Sequence, residues 1–162
     1  MLVPMARTTS LLIVCHGNLC RSPMAQALVR HWATNLGASE RIVVDSAGTR
    51  PFQPGGPAHP QTLALLEQNG VDARGLVCRG MAEDDFERFD KVLAVDRFVA
   101  RQLEARRQGG APVELLLPYG CSGEQDVPDP YLDGRFAEVF ALLDDACKGL
   151  VERCLAEPGR RG

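Results

Sequence analysis

Cys15 and Arg21 stand six residues apart in the string Val14-Cys15-His16-Gly17-Asn18-Leu19-Cys20-Arg21-Ser22-Pro23. The apolar run Leu11 to Cys15 precedes this string and a helical pattern opening on Ser22-Pro23 continues it, so it reads as the loop between a buried strand and a helix N-terminus. A helix start offers unpaired backbone N–H groups and the positive end of the helix dipole, which makes an anion the expected guest. Gly17 and Asn18 tolerate unusual backbone angles and let successive N–H groups turn inward as a nest. Arg21 adds a planar fork suited to two oxygens of a phosphate-like group. The field that holds an anion also favours the ionised form of a thiol, so Cys15 is the expected nucleophile, placed beneath the phosphorus of the cradled anion. His16, Gly17, Asn18, Leu19, Cys20 and Ser22 complete the cradle, His16 chiefly through its backbone N–H. Ser22 either caps the helix or donates its hydroxyl to the sulfur and stabilises it as a leaving group.

A Cys at a strand end is ordinarily a core thiol, and a Cys-to-Arg spacing alone is a weak signal; the full string with its strand and helix start carries the assignment. A thiolate attacking a phosphate ester also needs an acid for the departing oxygen. Asp126-Val127-Pro128-Asp129-Pro130-Tyr131 supplies the best candidate in Asp129, held between two prolines after the fourth expected strand. Its plainer role is a turn or cap aspartate. Tyr131 can pack against an aromatic leaving group. Cys20 shares the tight loop with Cys15, and is either a buried thiol or the partner in a reversible, protective disulfide. The loop lacks the glycine set of a dinucleotide site and the Gly-Lys-Ser/Thr of a nucleotide P-loop. The Cys15/Cys20 spacing is not that of a zinc knuckle, and His31 and His59 are not strong ligand or base candidates, so neither metal nor cofactor is expected.

These residues need a scaffold. The chain has 162 residues, 45% hydrophobic and 24% charged, the composition of one ordinary globular domain. Residues 1–9 and 157–162 are expected as flexible ends. A net charge of −3 supplies no basic field for nucleic acid or anionic membrane. The five-residue apolar run near the start is too short for a signal or a span. These features read as a cytoplasmic protein with free thiols. Strands are expected at Leu11 to Cys15, Ile42 to Val44, Val92 to Val95 and Val113 to Leu117, alternating with helical patterns, which argues for a parallel sheet with crossover helices.

The helices are expected from Ser22 to Leu36, stopped by Gly37, with Met24, Leu28, Trp32 and Leu36 on one face; from Pro60 to Asn69; briefly after Asp84; from Asp96 to Gln108, with Phe98 and Leu103 as the apolar part; and from Gly134 to Leu155. The last carries the stripe Phe136, Phe140, Leu143, Cys147, Leu150, Cys154. Seven helical residues place Cys147 and Cys154 about 10.5 Å apart, beyond the roughly 7 Å reach of a disulfide.

The sequence resembles the low-molecular-weight protein tyrosine phosphatases over nearly its whole length. The likeness runs through Cys15 to Pro23, Met24-Ala25-Gln26-Ala27, Asp45-Ser46-Ala47-Gly48-Thr49, Asp85-Phe86, Phe89-Asp90, Asp96 and Asp129-Pro130-Tyr131. The resemblance implies an α/β fold of three layers, a four-stranded parallel sheet with helices on both faces. It implies a phosphocysteine on Cys15, phosphoryl binding by Arg21, and Asp129 as general acid and then base, with no metal. It also implies that Asn18 holds the loop by hydrogen bonding to Ser46 and that Phe52 and Tyr131 wall the aryl pocket. The substrate would be a phosphotyrosine protein or a small aryl phosphate, and inorganic phosphate a product. The sequence departs from the family at Phe52, often Trp or Tyr, at Leu76, often His, at Val99, often Asn, and at Gln61 and Gly80. Leu76 takes a polar partner away from the Asn18/Ser46 pair. The alternatives are a thioredoxin-linked arsenate reductase, which needs a further cysteine pair and tends to place a cysteine where Val95-Asp96 stand, and a non-catalytic anion-binding or redox-sensing module.

Overall fold

The computed structural model describes residues 8–157. Its strands β1 (Thr9–Cys15), β2 (Ile42–Gly48), β3 (Lys91–Ala94) and β4 (Val113–Leu115) form a parallel sheet in the order β2-β1-β3-β4. Between and after them lie α1 (Arg21–Asn35), α2 (Pro60–Gln68), α3 (Asp85–Arg88), α4 (Arg97–Arg106), α5 (Pro130–Asp133) and α6 (Phe136–Ala156). Neighbouring strand residues point to opposite faces, and Leu11, Leu12, Ile13 and Val14 of β1 are all 0% exposed. Both faces of the sheet are therefore covered, which gives three layers. Each of these side chains contributes about 1.5–3 kcal/mol over leaving it in water. The strand order reverses direction between β1 and β3, so the carboxyl ends of these two strands flank the crevice where open α/β sheets bind ligands. Cys15 is the last residue of β1, and Asp96 follows β3 closely.

The helix α1 is buried on every side at its start: Arg21 through Val29 are all inaccessible. The expected apolar face holds at Met24 and Leu28, whereas Leu36 is 40% exposed beyond the helix end. Trp32 Nε1 donates to Asp144 Oδ1 at 2.9 Å and ties α1 to α6. In α6, Val139 is fully buried and Phe140 only half-buried, so the stripe enters the core as Phe136, Val139, Leu143, Cys147, Leu150, Cys154. Burial pushes the Cys147 and Cys154 thiols up, and all six thiols are free.

Three expectations are corrected. The strand β4 stops at Leu115, because Leu117-Pro118-Tyr119 turns into a 3-10 helix and Pro118 has no N–H for a sheet ladder. In α4 the buried pair is Val99 and Leu103, one turn apart, while Phe98 is 55% exposed. The first strand begins at Thr9, inside a stretch expected to be flexible. Residues 1–7 and 158–162, which make up most of the two expected ends, lie outside the described residues.

Candidate active site

The site lies at the carboxyl end of β1. The carbonyls of Cys15, His16 and Gly17 accept the N–H groups of Thr49 (3.0 Å), Arg50 (2.8 Å) and Phe52 (3.1 Å), so the chain leaving β2 zips alongside the loop and delivers the Phe52 ring to its mouth. Gly17 is required there: a Cβ at that position would meet the Phe52 ring at 2.6 Å. Gly48 is equally confined, with the His16 carbonyl 2.8 Å from where a Cβ would sit. In Gly17→Ala the half-exposed Phe52 ring must swing away. KM for aryl phosphates should rise by about two- to tenfold, the worth of one aromatic contact, with KM for a small alkyl phosphate little changed; steady-state kinetics on both esters checks this.

Asn18 is the only non-glycine residue with positive φ (53°) among the described residues, and it is 0% exposed. Every polar group of its side chain is engaged. Oδ1 accepts the Arg79 backbone N–H at 2.8 Å, and Nδ2 donates to Ser22 Oγ at 2.7 Å and Ser46 Oγ at 3.0 Å. Ser46 Oγ in turn donates to Gln26 Oε1 at 2.6 Å. These are buried groups, and a closed network of this kind holds the left-handed turn in place. Leu76 therefore leaves no vacancy around Asn18: Gln26 and the Arg79 amide complete the set, and Leu76 itself packs in the core.

The network ends on the sulfur. Cys15 Sγ lies 3.2 Å from the donating Asn18 N–H and 2.9 Å from Ser22 Oγ. Ser22 Oγ already accepts from Asn18, and its other neighbour, the Ala47 carbonyl, is 3.5 Å away. With one lone pair taken by Asn18, Ser22 Oγ can donate its proton to the sulfur. Ser22 does not cap the helix: the cap position is Cys20, with no side-chain cap bond, and α1 begins one residue earlier than expected, at Arg21. Its first N–H groups are left to face the loop.

Arg21, 4% exposed, is anchored on one edge. Its Nη1 donates to Asp96 Oδ2 at 2.7 Å and to the Val127 carbonyl at 2.9 Å, while Nη2 lies 3.7 Å from Asp129 Oδ2. The Nε–Nη2 edge is left as the fork for an anion. Asp96 does double duty, since its Oδ1 caps α4 through the Val99 N–H at 2.7 Å. Asp129 also divides its oxygens. Oδ1 caps α5 by accepting the Tyr131 N–H at 3.1 Å, and Oδ2 is turned toward Arg21. Cys15, Gly17, Leu19, Cys20, Arg21, Phe52, Asp129 and Tyr131 line one pocket. The Phe52 and Tyr131 rings stand at its mouth with centroids 5.2 Å apart, and the His16 ring meets Phe52 edge-on at 5.6 Å. The His16 ring is thus packed beside that wall, and His16 is not among the pocket's lining residues.

The family model described as "Low molecular weight phosphotyrosine protein phosphatase" matches residues 10–159. The chain belongs to that family. This phosphatase-family chain is 36% identical over 145 residues to the low molecular weight protein-tyrosine-phosphatase YfkJ of Bacillus subtilis, covering 88% of this chain and 93% of that one. It is 32% identical to the human low molecular weight phosphotyrosine protein phosphatase, covering 90% and 96%. The crystal structure of YfkJ superposes with a TM-score of 0.88 at 34% identity over 93% of this chain and 97% of that one.

Within this family member three contributors to the site escaped the sequence reading as functional residues. Gln26 lies one helical turn after Ser22, so the i, i+4 spacing is the signal that could have found it. Asp96 stands just beyond a strand carboxyl end, where site residues gather. Arg79 acts on Asn18 through its backbone, which no side-chain pattern reveals; its guanidinium joins Asp45 (3.0 Å) to the fully buried Asp85 (2.9 Å). Among the described residues no cluster of three or more His, Cys, Asp or Glu is placed to hold a metal, and no helix is long and apolar enough to cross a membrane.

Proposed function

We propose that the chain hydrolyses phosphotyrosine and related aryl phosphates in two displacements on Cys15. The observation that carries this is a sulfur that accepts the Asn18 N–H and lies 2.9 Å from Ser22 Oγ, on the floor of a pocket shared with Arg21 and Asp129. The phosphoryl group sits on the α1 N-terminus and the Arg21 fork, with the aryl ring between Phe52 and Tyr131. The Cys15 thiolate attacks phosphorus, the P–O bond to the aryl group breaks, and Asp129 Oδ2 delivers its proton to the departing oxygen. The same carboxylate then takes a proton from water, which attacks the phosphocysteine. The Ser22 hydroxyl stabilises the sulfur as it leaves, and inorganic phosphate is released. Neither step uses a metal or a cofactor, and the free Cys15 thiol suits the reducing cytoplasm.

The test is phosphate release from p-nitrophenyl phosphate by purified protein in the presence of chelator, with mass spectrometry of an acid-quenched reaction to find a phosphorylated Cys15. No release would overturn the reading. Arsenate reduction coupled to thioredoxin, in its place, would favour a reductase; the positions at which such enzymes place a cysteine hold Val95, wholly buried, and Asp96, bound to Arg21.

Cys20 is the reserve thiol of this site. Burial first, and then the neighbouring Cys15 and Asp129 charges, push its pKa up to about 12, so it stays protonated wherever Cys15 works. Peroxide oxidises Cys15 to the sulfenic acid, and condensation with the Cys20 thiol forms the disulfide and releases water. Peroxide-treated protein is expected to lose two hydrogens in mass and to regain activity with dithiothreitol. In Cys20→Ser the mass loss should vanish and inactivation should become irreversible. Reversible recovery in that variant would remove Cys20 from the role.

A further inference from the structure

A second groove runs away from the catalytic pocket and shares three of its walls, Leu19, Phe52 and Tyr131. Its floor is the start of α2 and the segment before it. Pro60, Leu63, Ala64 and Glu67 all line it, and their i, i+3, i+4, i+7 spacing makes them one stripe along the helix. The floor is fastened to the catalytic loop: the His59 N–H donates to the Leu19 carbonyl at 2.9 Å. The His59 ring is held too. Its Nδ1 accepts the Gln61 N–H at 3.1 Å, and its plane lies between Phe136, 4.9 Å away, and Tyr131, 6.3 Å away. The groove is thus apolar and rigid near the pocket and ends on the exposed carboxylate of Glu67. Beyond that end Arg74 is committed to Asp72 at 2.8 Å, and Arg30 donates to the Asp72 carbonyl at 3.2 Å.

From this continuity and this charge we propose that the groove binds the polypeptide flanking the phosphotyrosine, taking an apolar side chain over Pro60 and Leu63 and a Lys or Arg at Glu67. The reading rests on the phosphatase activity proposed above and specifies its substrate. From Pro60 to Glu67 is seven helical residues, about 10.5 Å, and an extended peptide covers that in about three residues at roughly 3.3 Å each. The cationic side chain therefore belongs about three positions beyond the residue seated over Pro60, and so at least three from the phosphotyrosine, with the apolar one between them.

The experiment compares phosphotyrosine peptides that carry Lys or Glu at the third, fourth or fifth residue from the phosphotyrosine, on each side in turn, with p-nitrophenyl phosphate as a substrate too small to reach the groove. On one side the Lys peptide should be preferred by about two- to fivefold in kcat/KM, the range of an exposed ion pair, and Glu67→Lys should invert that preference. A structural disturbance would lower both peptides alike and cannot invert it. In Leu63→Ala, KM for both peptides should rise by about tenfold with p-nitrophenyl phosphate kinetics unchanged. Equal use of the peptides by the unmodified protein, or a preference that Glu67→Lys leaves intact, overturns the groove while normal turnover of p-nitrophenyl phosphate leaves the phosphatase reading standing. Failure to hydrolyse p-nitrophenyl phosphate overturns both.

Discussion

Cys15→Ser is expected to lower aryl phosphate hydrolysis by at least about 10⁴-fold, about 5 kcal/mol of transition-state stabilisation, while leaving phosphate binding nearly intact. The two halves of this prediction have separate causes. The proposed turnover depends on a thiolate, and a serine hydroxyl in the same place stays un-ionised: Ser22 Oγ, within hydrogen-bond reach of residue 15, is a neutral hydroxyl that already accepts from Asn18 and is no base for it. Binding depends on groups that the substitution does not touch, namely the N-terminal amides of α1 and the Arg21 fork, which Asp96 and the Val127 carbonyl hold from behind. Calorimetry with inorganic phosphate should give a dissociation constant within a few-fold of the parent, and the acid-quenched protein should carry no phosphate. A variant that hydrolyses within tenfold of the parent would mean that water attacks directly and that Cys15 is only part of the cradle.

Much of this site was legible because its chemistry is concentrated in one loop whose residue types each have a local physical reason. Gly17 and Asn18 announce a turn, Ser22-Pro23 announces a helix start, and an Asp between two prolines announces a fixed carboxyl. What was illegible is what holds these parts still. The Arg79 amide that locks Asn18 comes from a residue 61 positions away in an irregular stretch, and any residue but proline could supply that N–H. Gln26 reads as one more helical position until the helix is seen to be buried on all sides at its start, which converts a polar residue there into an obligatory hydrogen-bond partner. The same distinction explains the errors in the fold. Periodicity placed α4, but whether Phe98 or Val99 faces the sheet depends on where the helix begins, and that is set by the Asp96 cap. The apolar run after Val113 continued as sequence while the strand ended, since Pro118 closes the ladder. Local chemistry thus pointed to the loop proposed to carry the reaction, and tertiary contacts decide how its parts are held.

Asp129→Asn separates proton delivery from everything else that residue 129 does. An amide oxygen can still accept the Tyr131 N–H, so α5 and with it the Tyr131 wall should keep their places. What is lost is the proton on Oδ2, and an amide cannot supply it. The loss should therefore scale with how badly the leaving group needs protonating: about 10²- to 10⁴-fold in kcat for phenyl phosphate or a phosphotyrosine peptide, and much less for an ester whose phenolate departs unaided, such as dinitrophenyl phosphate. The substitution also removes the negative charge that the ionised form of residue 129 places 3.7 Å from Arg21 Nη2, where it competes with the bound anion. Inorganic phosphate should consequently bind the variant at least as tightly as the parent, the opposite of what a misfolded pocket would give. A uniform loss across leaving groups, or a near-normal rate with phenyl phosphate, would confine Asp129 to its role as the α5 cap and require another acid within reach of the pocket.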